Sequence, residues 1–215
     1  METPLILVLA TRNAGKTAEI RDLLKDFPIE IRNLDDFGPI PEVEEDGATF
    51  DDNAYKKAHF AARVLGFPAL ADDSGLVVEA LNGAPGVYSA RYAGEKASDA
   101  DRCAKLLQAM VGQTRRAAAF ECVISIAVPE GPALTYEARC EGRITDQPQG
   151  ENGFGYDPIF FYPPLNKTFA QMTMTEKSRV SHRGKALREL QAEFDKVLKW
   201  IQQHMPIVVR TGCVT

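Results

Sequence analysis

Leu70-Ala71-Asp72-Asp73-Ser74-Gly75-Leu76-Val77-Val78 is the stretch on which the reading of this chain turns. An apolar lead-in delivers two adjacent carboxylates, a hydroxyl and a glycine, and an apolar run resumes at once. Side chains alternate faces along extended backbone, so Asp72 and Asp73 point to opposite sides unless the chain turns there. Gly75 permits such a turn. Acidic residues at the carboxyl end of a short buried strand are where open α/β sheets hold metals and phosphorylated ligands. The other reading is an acidic turn between two strands, where Asp, Ser and Gly are ordinary residues. The flanking sequence has to decide.

Upstream, Phe50, Ala54, Ala58, Ala61, Ala62 and Leu65 mark a helix with a narrow, small-residue face, stopped by Gly66. A loop rich in Pro and acid precedes it over residues 35–47, with Glu42, Glu44, Glu45 and Asp46. Before that, Ile29 to Leu34 reads as a strand. Leu5 to Ala10 is a continuous apolar run, the mark of a strand buried on both faces. Thr11 to Lys16 follows as a polar loop, and Ile20, Leu23, Leu24 and Phe27 repeat at helical spacing until Pro28. Strand, loop and helix in that order open an α/β unit.

Downstream, residues 82–96 read as an ordered loop carrying an arginine and tyrosines. Ser98 with Asp101 forms an N-cap signature for a helix running to Gly112. Phe120, Cys122, Ile124, Ile126 and Val128 then share one strand face, Pro129 to Pro132 turns the chain, and Leu134, Tyr136, Ala138 and Cys140 answer on the return. That pattern predicts a long antiparallel hairpin, the platform of a mixed sheet. Residues 142–168 hold many Gly and Pro residues around Asn152 to Pro158. A last helix starts near Ser181, with Ala186, Leu187, Leu190, Phe194, Val197, Leu198 and Ile201 as its buried stripe. There is no repeat and no linker. The expectation is one α/β domain over residues 1–204, its long mixed central sheet flanked by helices, with two lobes around a substrate groove. Residues 205–215 read as a tail or a weak edge strand.

Bulk properties narrow the function classes. The 215 residues, 45% hydrophobic and 26% charged, are enough to bury a substantial core. A formal net charge of -5 disfavours a nonspecific binder of nucleic-acid polymers or of membrane surfaces. A polyphosphate remains a fitting ligand if basic residues gather locally. No apolar run approaches the roughly 20 residues needed to span a bilayer, and Met1 to Pro4 lacks the basic start of a signal peptide. Cys103, Cys122, Cys140 and Cys213 show no CxxC spacing, which reads as free thiols in a reduced, cytoplasmic setting. His59, His182 and His204 are too few and too far apart to propose zinc.

Four segments besides Asp72-Asp73 carry chemistry. Ala10 to Thr17 nearly matches the phosphate-binding GxxxxGK[ST] loop, with Gly15, Lys16 and Thr17 in place but Ala10 where the first glycine belongs. Thr11 and Asn13 still offer donors, the following helix presents free N–H groups, and Lys16 adds a point charge. Glu44 and Glu45 could join the aspartates in holding magnesium, which takes one or two carboxylates plus waters and substrate phosphates. Gly153 to Pro158 sets Phe154 and Tyr156 between glycines, suited either to stacking on a base or to plugging the core. Lys177 to Lys185 gathers basic groups at a helix start, where the dipole disfavours cations, so an anionic or acceptor-rich ligand is suggested.

Together these segments resemble one family, the inosine triphosphate pyrophosphatases, also called non-canonical purine nucleoside triphosphate pyrophosphatases. The resemblance runs from about Leu5 to about Leu198. It rests on Thr11-x-Asn13-x-x-Lys16, Glu44-Glu45-x-Gly47-x-Thr49-Phe50-x-x-Asn53-Ala54, Ala71 to Leu76, Gly83 to Tyr92, Gly153 to Pro158 and Ser181-His182-Arg183-Gly184. It implies a magnesium-dependent enzyme, typically a cytoplasmic homodimer, that converts inosine, deoxyinosine and xanthosine triphosphates to the monophosphate and pyrophosphate. By similarity Asp73 is the proton acceptor and a metal ligand, Glu44 another metal contact, and Asp72 and Lys16 complete the catalytic centre. Thr11, Arg12, Asn13, Ala14, Gly15, Lys16, Ser74 and Lys177 would hold the triphosphate. Phe154, Gly155, Tyr156, Asp157, His182 and Arg183 would enclose and read the base. The readings that compete with this are a P-loop ATPase or kinase, a non-catalytic nucleotide-binding module, and a related pyrophosphatase acting on other modified nucleotides.

Overall fold

The computed structural model describes residues 4–205, so the first three residues, Cys213 and the tail or edge strand expected over residues 206–215 lie outside the described residues. Seven strands form one sheet in the order β2-β1-β3-β4-β5-β6-β7. β1 (Leu5–Leu9) runs parallel to β2 (Ile29–Asn33) and to the start of β3 (Ala69–Val78). From β3 onward the pairing is antiparallel, through β4 (Ala117–Ala127) and β5 (Ala133–Ile144) to the short β6 (Phe160–Tyr162) and β7 (Lys167–Thr168). The mixed sheet with flanking helices is the α/β architecture expected. No helix among the described residues is long and apolar enough to cross a membrane.

The pleat of β3 sorts the core. Leu70 points to the face covered by α1 (Ala14–Leu24) and α5 (His182–His204), where Leu7, Leu9, Ile20, Ile124, Leu190 and Phe194 pack together. Ala69 and Ala71 point to the other face, against Ala58, Ala61 and Ala62 of α2 (Phe50–Leu65). Small side chains on both surfaces let that helix lie close to the sheet. α2 opens on a Thr49/Asp52 capping box and closes on Gly66, whose φ of 73° is the left-handed cap that glycine takes most easily. Toward the far end of the sheet, α3 (Asp99–Ala109) closes over Leu76, Phe120, Phe160 and Phe169. Cys103, Cys122 and Cys140 are free and buried, and burial pushes the Cys122 thiol up to about 12.

Several boundaries differ from the sequence reading. α1 ends at Leu24, leaving Phe27 outside it to pack on Phe194 with ring centroids 4.6 Å apart. Leu34–Phe37 is a 3-10 turn, and α3 ends at Ala109 rather than Gly112. The Gly- and Pro-rich region contains β6 and β7, too short to show a period. Met174–Val180 is a helix of its own, α4, which reads in sequence only as a basic cluster. The acidic pair does not end a short strand. β3 is continuous through Gly75 and pairs with β4 along its whole length, Asp73 opposite Val123. What ends is β1: its last pairing with β3 is Leu9 with Leu70. Beyond Leu70, β3 has a strand on one side and a groove on the other.

Candidate active site

The alternation that runs through Leu70 and Ala71 continues into the acids and gives each a different setting. Asp72 and Ser74 share the α5 face, and the Ser74 hydroxyl donates to Asp72 Oδ2 at 3.2 Å. Lys16, from the first turn of α1, places its ammonium 2.9 Å from the same oxygen, and Arg183 Nε lies 3.2 Å from it. The Arg183 fork is shared further, with Nη1 3.1 Å from Glu19 Oε2 and Nη2 donating to Ser74 Oγ at 3.0 Å. The Asp72 side chain is 1% exposed, and its Oδ1 has no partner among the described residues. Burial alone would raise the Asp72 carboxyl, but Lys16 and Arg183 outweigh it and hold the acid far below the usual carboxylate range. Asp72 is therefore a fixed anion.

Asp73 faces the other way, toward α2. Lys57 donates to its Oδ1 at 2.9 Å and lies 3.2 Å from Glu45 Oε1. Here burial prevails: it pushes the Asp73 carboxyl above its ordinary value even though Lys57 and Lys16 pull it down. Lys57 stays protonated, because Asp73 and Glu45 together overcome its own burial. Two adjacent residues thus hold one acid kept well below its ordinary value and one raised above it.

Asp73 opens onto a groove of about 740 Å³, while Asp72 lies behind it, outside the lining. Asn13, the N-cap of α1, accepts from the Lys16 backbone N–H at 3.1 Å, and Thr11 Oγ1 accepts from Asn13 N–H at 3.2 Å. Gly15 faces the Phe154 ring, which a Cβ would approach to 3.8 Å. Arg12 leans outward to Glu42 and the Ile40 carbonyl. Ala10, in place of the missing glycine, is buried and lines the groove floor. Ala14 starts α1 but does not line the groove.

At the other end stands the aromatic loop. Gly153 has a φ of 79°, and a Cβ there would run into the Asp157 carboxylate. That carboxylate accepts from Phe154 N–H at 2.9 Å and pairs with Lys177 at 2.5 Å. Lys177, on α4, also sits 4.5 Å from the Phe154 ring centroid, so the structure puts it with the aromatic loop. Burial raises the Asp157 carboxyl against the pull of Lys177. Gly155 N–H donates to Asp99 at 2.7 Å, and Tyr156 Oη donates to the Ser89 carbonyl at 2.8 Å. His182 stacks on Phe120, 4.7 Å between centroids and 13° between planes. Burial, helped by Arg183 and Lys177, drives its imidazole well below the ordinary value, so the ring is neutral near pH 7.

The structure therefore gathers Thr11, Arg12, Asn13, Gly15, Lys16, Asp73, Ser74, Phe154, Gly155, Tyr156, Asp157, Lys177, His182 and Arg183 around one groove. It does not bring Glu44 there. Glu44 is exposed and outside the lining, while Glu45 is inside it and shares Lys57 with Asp73. Sequence reasoning passed over Lys57, Glu19, Asp99 and Arg102. For Lys57 a signal existed: on α2 it is the neighbour of Ala58, at the edge of the small-residue face that must touch the sheet.

The lining carries six Lys or Arg and five Asp or Glu residues, one positive charge in excess on a chain of net charge -5. A groove so nearly balanced accepts a polyanion best together with a cation. Among the described residues no three or more His, Cys, Asp or Glu side chains converge as a metal cage. The Lys57 ammonium nonetheless shows that a positive charge is accommodated between Glu45 and Asp73, within 3.2 Å of both. Two carboxylates, with water and phosphate oxygens, fit a divalent cation.

Comparison with known proteins identifies the family. The model of the Ham1 family matches residues 7–193. The chain is 67% identical over 196 residues to a dITP/XTP pyrophosphatase of Syntrophobacter fumaroxidans, covering 91% of this chain and 84% of that protein. It is 60% identical to one from Desulfotalea psychrophila, covering 93% and 90%. Among solved structures it resembles a HAM1 protein from Coxiella burnetii with a TM-score of 0.85 at 44% identity, over 89% of this chain and 99% of that one.

Proposed function

Since this chain belongs to the Ham1 family, we propose that its groove hydrolyses inosine, deoxyinosine and xanthosine triphosphates to the monophosphate and pyrophosphate, clearing deaminated purines from the nucleotide pool. The observation that carries this reading is the division of labour across β3. Asp72 is locked by Lys16 and Arg183 on one face, and Asp73 stands with Glu45 on the other.

In this reading Glu45 and Asp73 would hold a magnesium ion, with Glu45 in the place that the sequence offered to Glu44. When bound, magnesium supplies charge neutralisation and orientation of the phosphates. Asp73 accepts the proton of the water that attacks the α-phosphorus, and pyrophosphate leaves. A carboxyl raised by burial suits a general base better than an ordinary one. Lys16, Thr11 and the first turn of α1 receive phosphate oxygens, and Ser74 is positioned beside them. Phe154 stacks on the base and His182 reads it. A neutral imidazole can donate to the 6-oxo group of hypoxanthine or xanthine, whereas the amino group of adenine would leave that donor unpaired. Arg183 acts mainly by fixing Asp72 and Ser74, since its fork is already divided among Asp72, Glu19 and Ser74. We further propose a cytoplasmic homodimer, on the family resemblance alone.

The test is a panel of inosine, deoxyinosine, xanthosine, guanosine and adenosine triphosphates with magnesium, scored for products. Monophosphate and pyrophosphate, formed fastest from the first three, are expected. Orthophosphate as the direct product would overturn the reaction in favour of an ATPase, and no turnover would leave a binding module.

A further inference from the structure

The segment Glu45-Asp46-Gly47 is laid along the first turns of α2 and gripped residue by residue. Lys57 takes the Glu45 carboxylate at 3.2 Å, Lys56 takes Asp46 at 2.5 Å, and Asn53 Oδ1 accepts from Gly47 N–H at 2.8 Å. Asn53 is fully buried, so this last contact is an inflexible one. All three grips come from one helix, so by themselves they fix the segment against α2 and not against β3.

The opposing contact comes from Arg91. It closes the 3-10 turn Gly86–Arg91, and its Nη2 donates to the Glu45 carbonyl at 2.8 Å, across 46 residues of sequence. The guanidinium is itself steadied over the Tyr88 ring at 5.0 Å. Its turn is anchored to β3: the Ser89 hydroxyl accepts from Leu76 N–H at 2.9 Å and donates to the Gly86 carbonyl at 2.6 Å. Arg91 is outside the groove lining. Through this chain of contacts it ties the backbone of Glu45 to the strand that carries Asp73. It does so through a carbonyl, so it does not itself occupy the Glu45 carboxylate.

We propose that Arg91 is a positioning residue for metal binding, setting the Glu45 carboxylate against Asp73 without touching substrate. The inference rests on the reading of Glu45 and Asp73 as the magnesium ligands. Residues that orient ligands from behind typically change metal affinity about 10- to 100-fold when removed.

The experiment compares the parent protein, Arg91→Ala, Arg91→Met and Asp73→Asn. Arg91→Met keeps an aliphatic stem on Tyr88 and removes the guanidinium, its donors and its charge together. Manganese(II) is titrated by electron paramagnetic resonance into each protein with the α,β-imido analogue of inosine triphosphate bound, in which the bridge that the reaction breaks is blocked. Analogue affinity without metal is measured alongside, as is the magnesium dependence of pyrophosphate release. The expected result is a manganese half-saturation raised about tenfold or more in both Arg91 variants, with metal-free analogue affinity unchanged and turnover recovered at high magnesium. Arg91→Met with the parent's half-saturation would overturn the inference, as would equal loss of metal-free analogue affinity. Manganese binding by the parent that Asp73→Asn leaves intact would instead overturn the ligand assignment beneath it.

Discussion

The Lys16 ammonium lies 2.9 Å from Asp72 Oδ2, and the carboxylate it meets is almost wholly buried. Removing the charge of Asp72 strands Lys16 and Arg183 together in the same corner. Breaking a buried pair from one side costs about 3–5 kcal/mol, so Asp72→Asn is expected to lower the urea midpoint by a corresponding amount. The acid response follows from the same depression. The folded acid ionises far below its ordinary value of 3.8, so its contribution is complete above that pH and is lost as pH falls through the depressed value. The parent should lose stability on acidification below about pH 4 more steeply than Asp72→Asn. Parallel acid profiles would show that the pair does not stabilise the fold.

Asp73 gives the opposite sign. Burial raises it, so the ionised base forms only as pH climbs through a value above 3.8, and kcat/KM should rise with it. Lys57→Met takes away the cation that pulls Asp73 down, and the acid limb should move to higher pH. An unmoved limb would detach Lys57 from the base. Asp73→Asn should abolish turnover while nucleotide binding survives; near-normal turnover would remove Asp73 from the reaction.

Two neighbours on α5 should behave differently toward nucleotides. Arg183→Ala disrupts the Asp72 and Ser74 corner, so it is expected to depress turnover of inosine and adenosine triphosphates by similar factors. His182→Ala removes a neutral ring at the base end, and should raise KM for inosine triphosphate about five- to tenfold, the worth of one hydrogen bond, with little effect on adenosine triphosphate. Steady-state kinetics with both nucleotides decides this, and a reversed pattern would exchange the two roles.

Gly184 is packed so closely that a Cβ would run into the Ser178 carbonyl oxygen of α4. Gly184→Ala is expected to cost about 1–3 kcal/mol through overpacking. It should also reduce activity by shifting His182 and Arg183. Wild-type melting and kinetics in this variant would show that the two helices can separate freely.

Much of this was legible in the sequence because it rests on period and punctuation. The β4–β5 alternation, the buried run of β1 and the cap of α2 each depend on a few neighbouring residues. The missed pieces depend on distance. β6 and β7 are too short to carry a period, and α4 lies under a run of charge. The opening on β3 is set by where β1 stops, at Leu9, far back in the chain, which no local pattern around Asp72 records. The placing of Glu45 in the groove lining and of Glu44 outside it is of the same kind: both sit in one acidic loop, and Glu45 is the one that Lys57 and Arg91, from two other elements, contact.

Ser181 both closes α4, its N–H bonded to the Lys177 carbonyl at 2.8 Å, and opens α5, its hydroxyl accepting from Gly184 N–H at 3.1 Å. With one residue serving both helices, the junction has no slack. A single added residue would turn α5 by about 100° about its axis, carrying Arg183 off Asp72 while Lys177 stayed with the aromatic loop. Most connections between elements tolerate changes in length. This one is a fixed gauge between the base end of the groove and its acidic centre, and insertions here should be lethal to activity even where the fold survives.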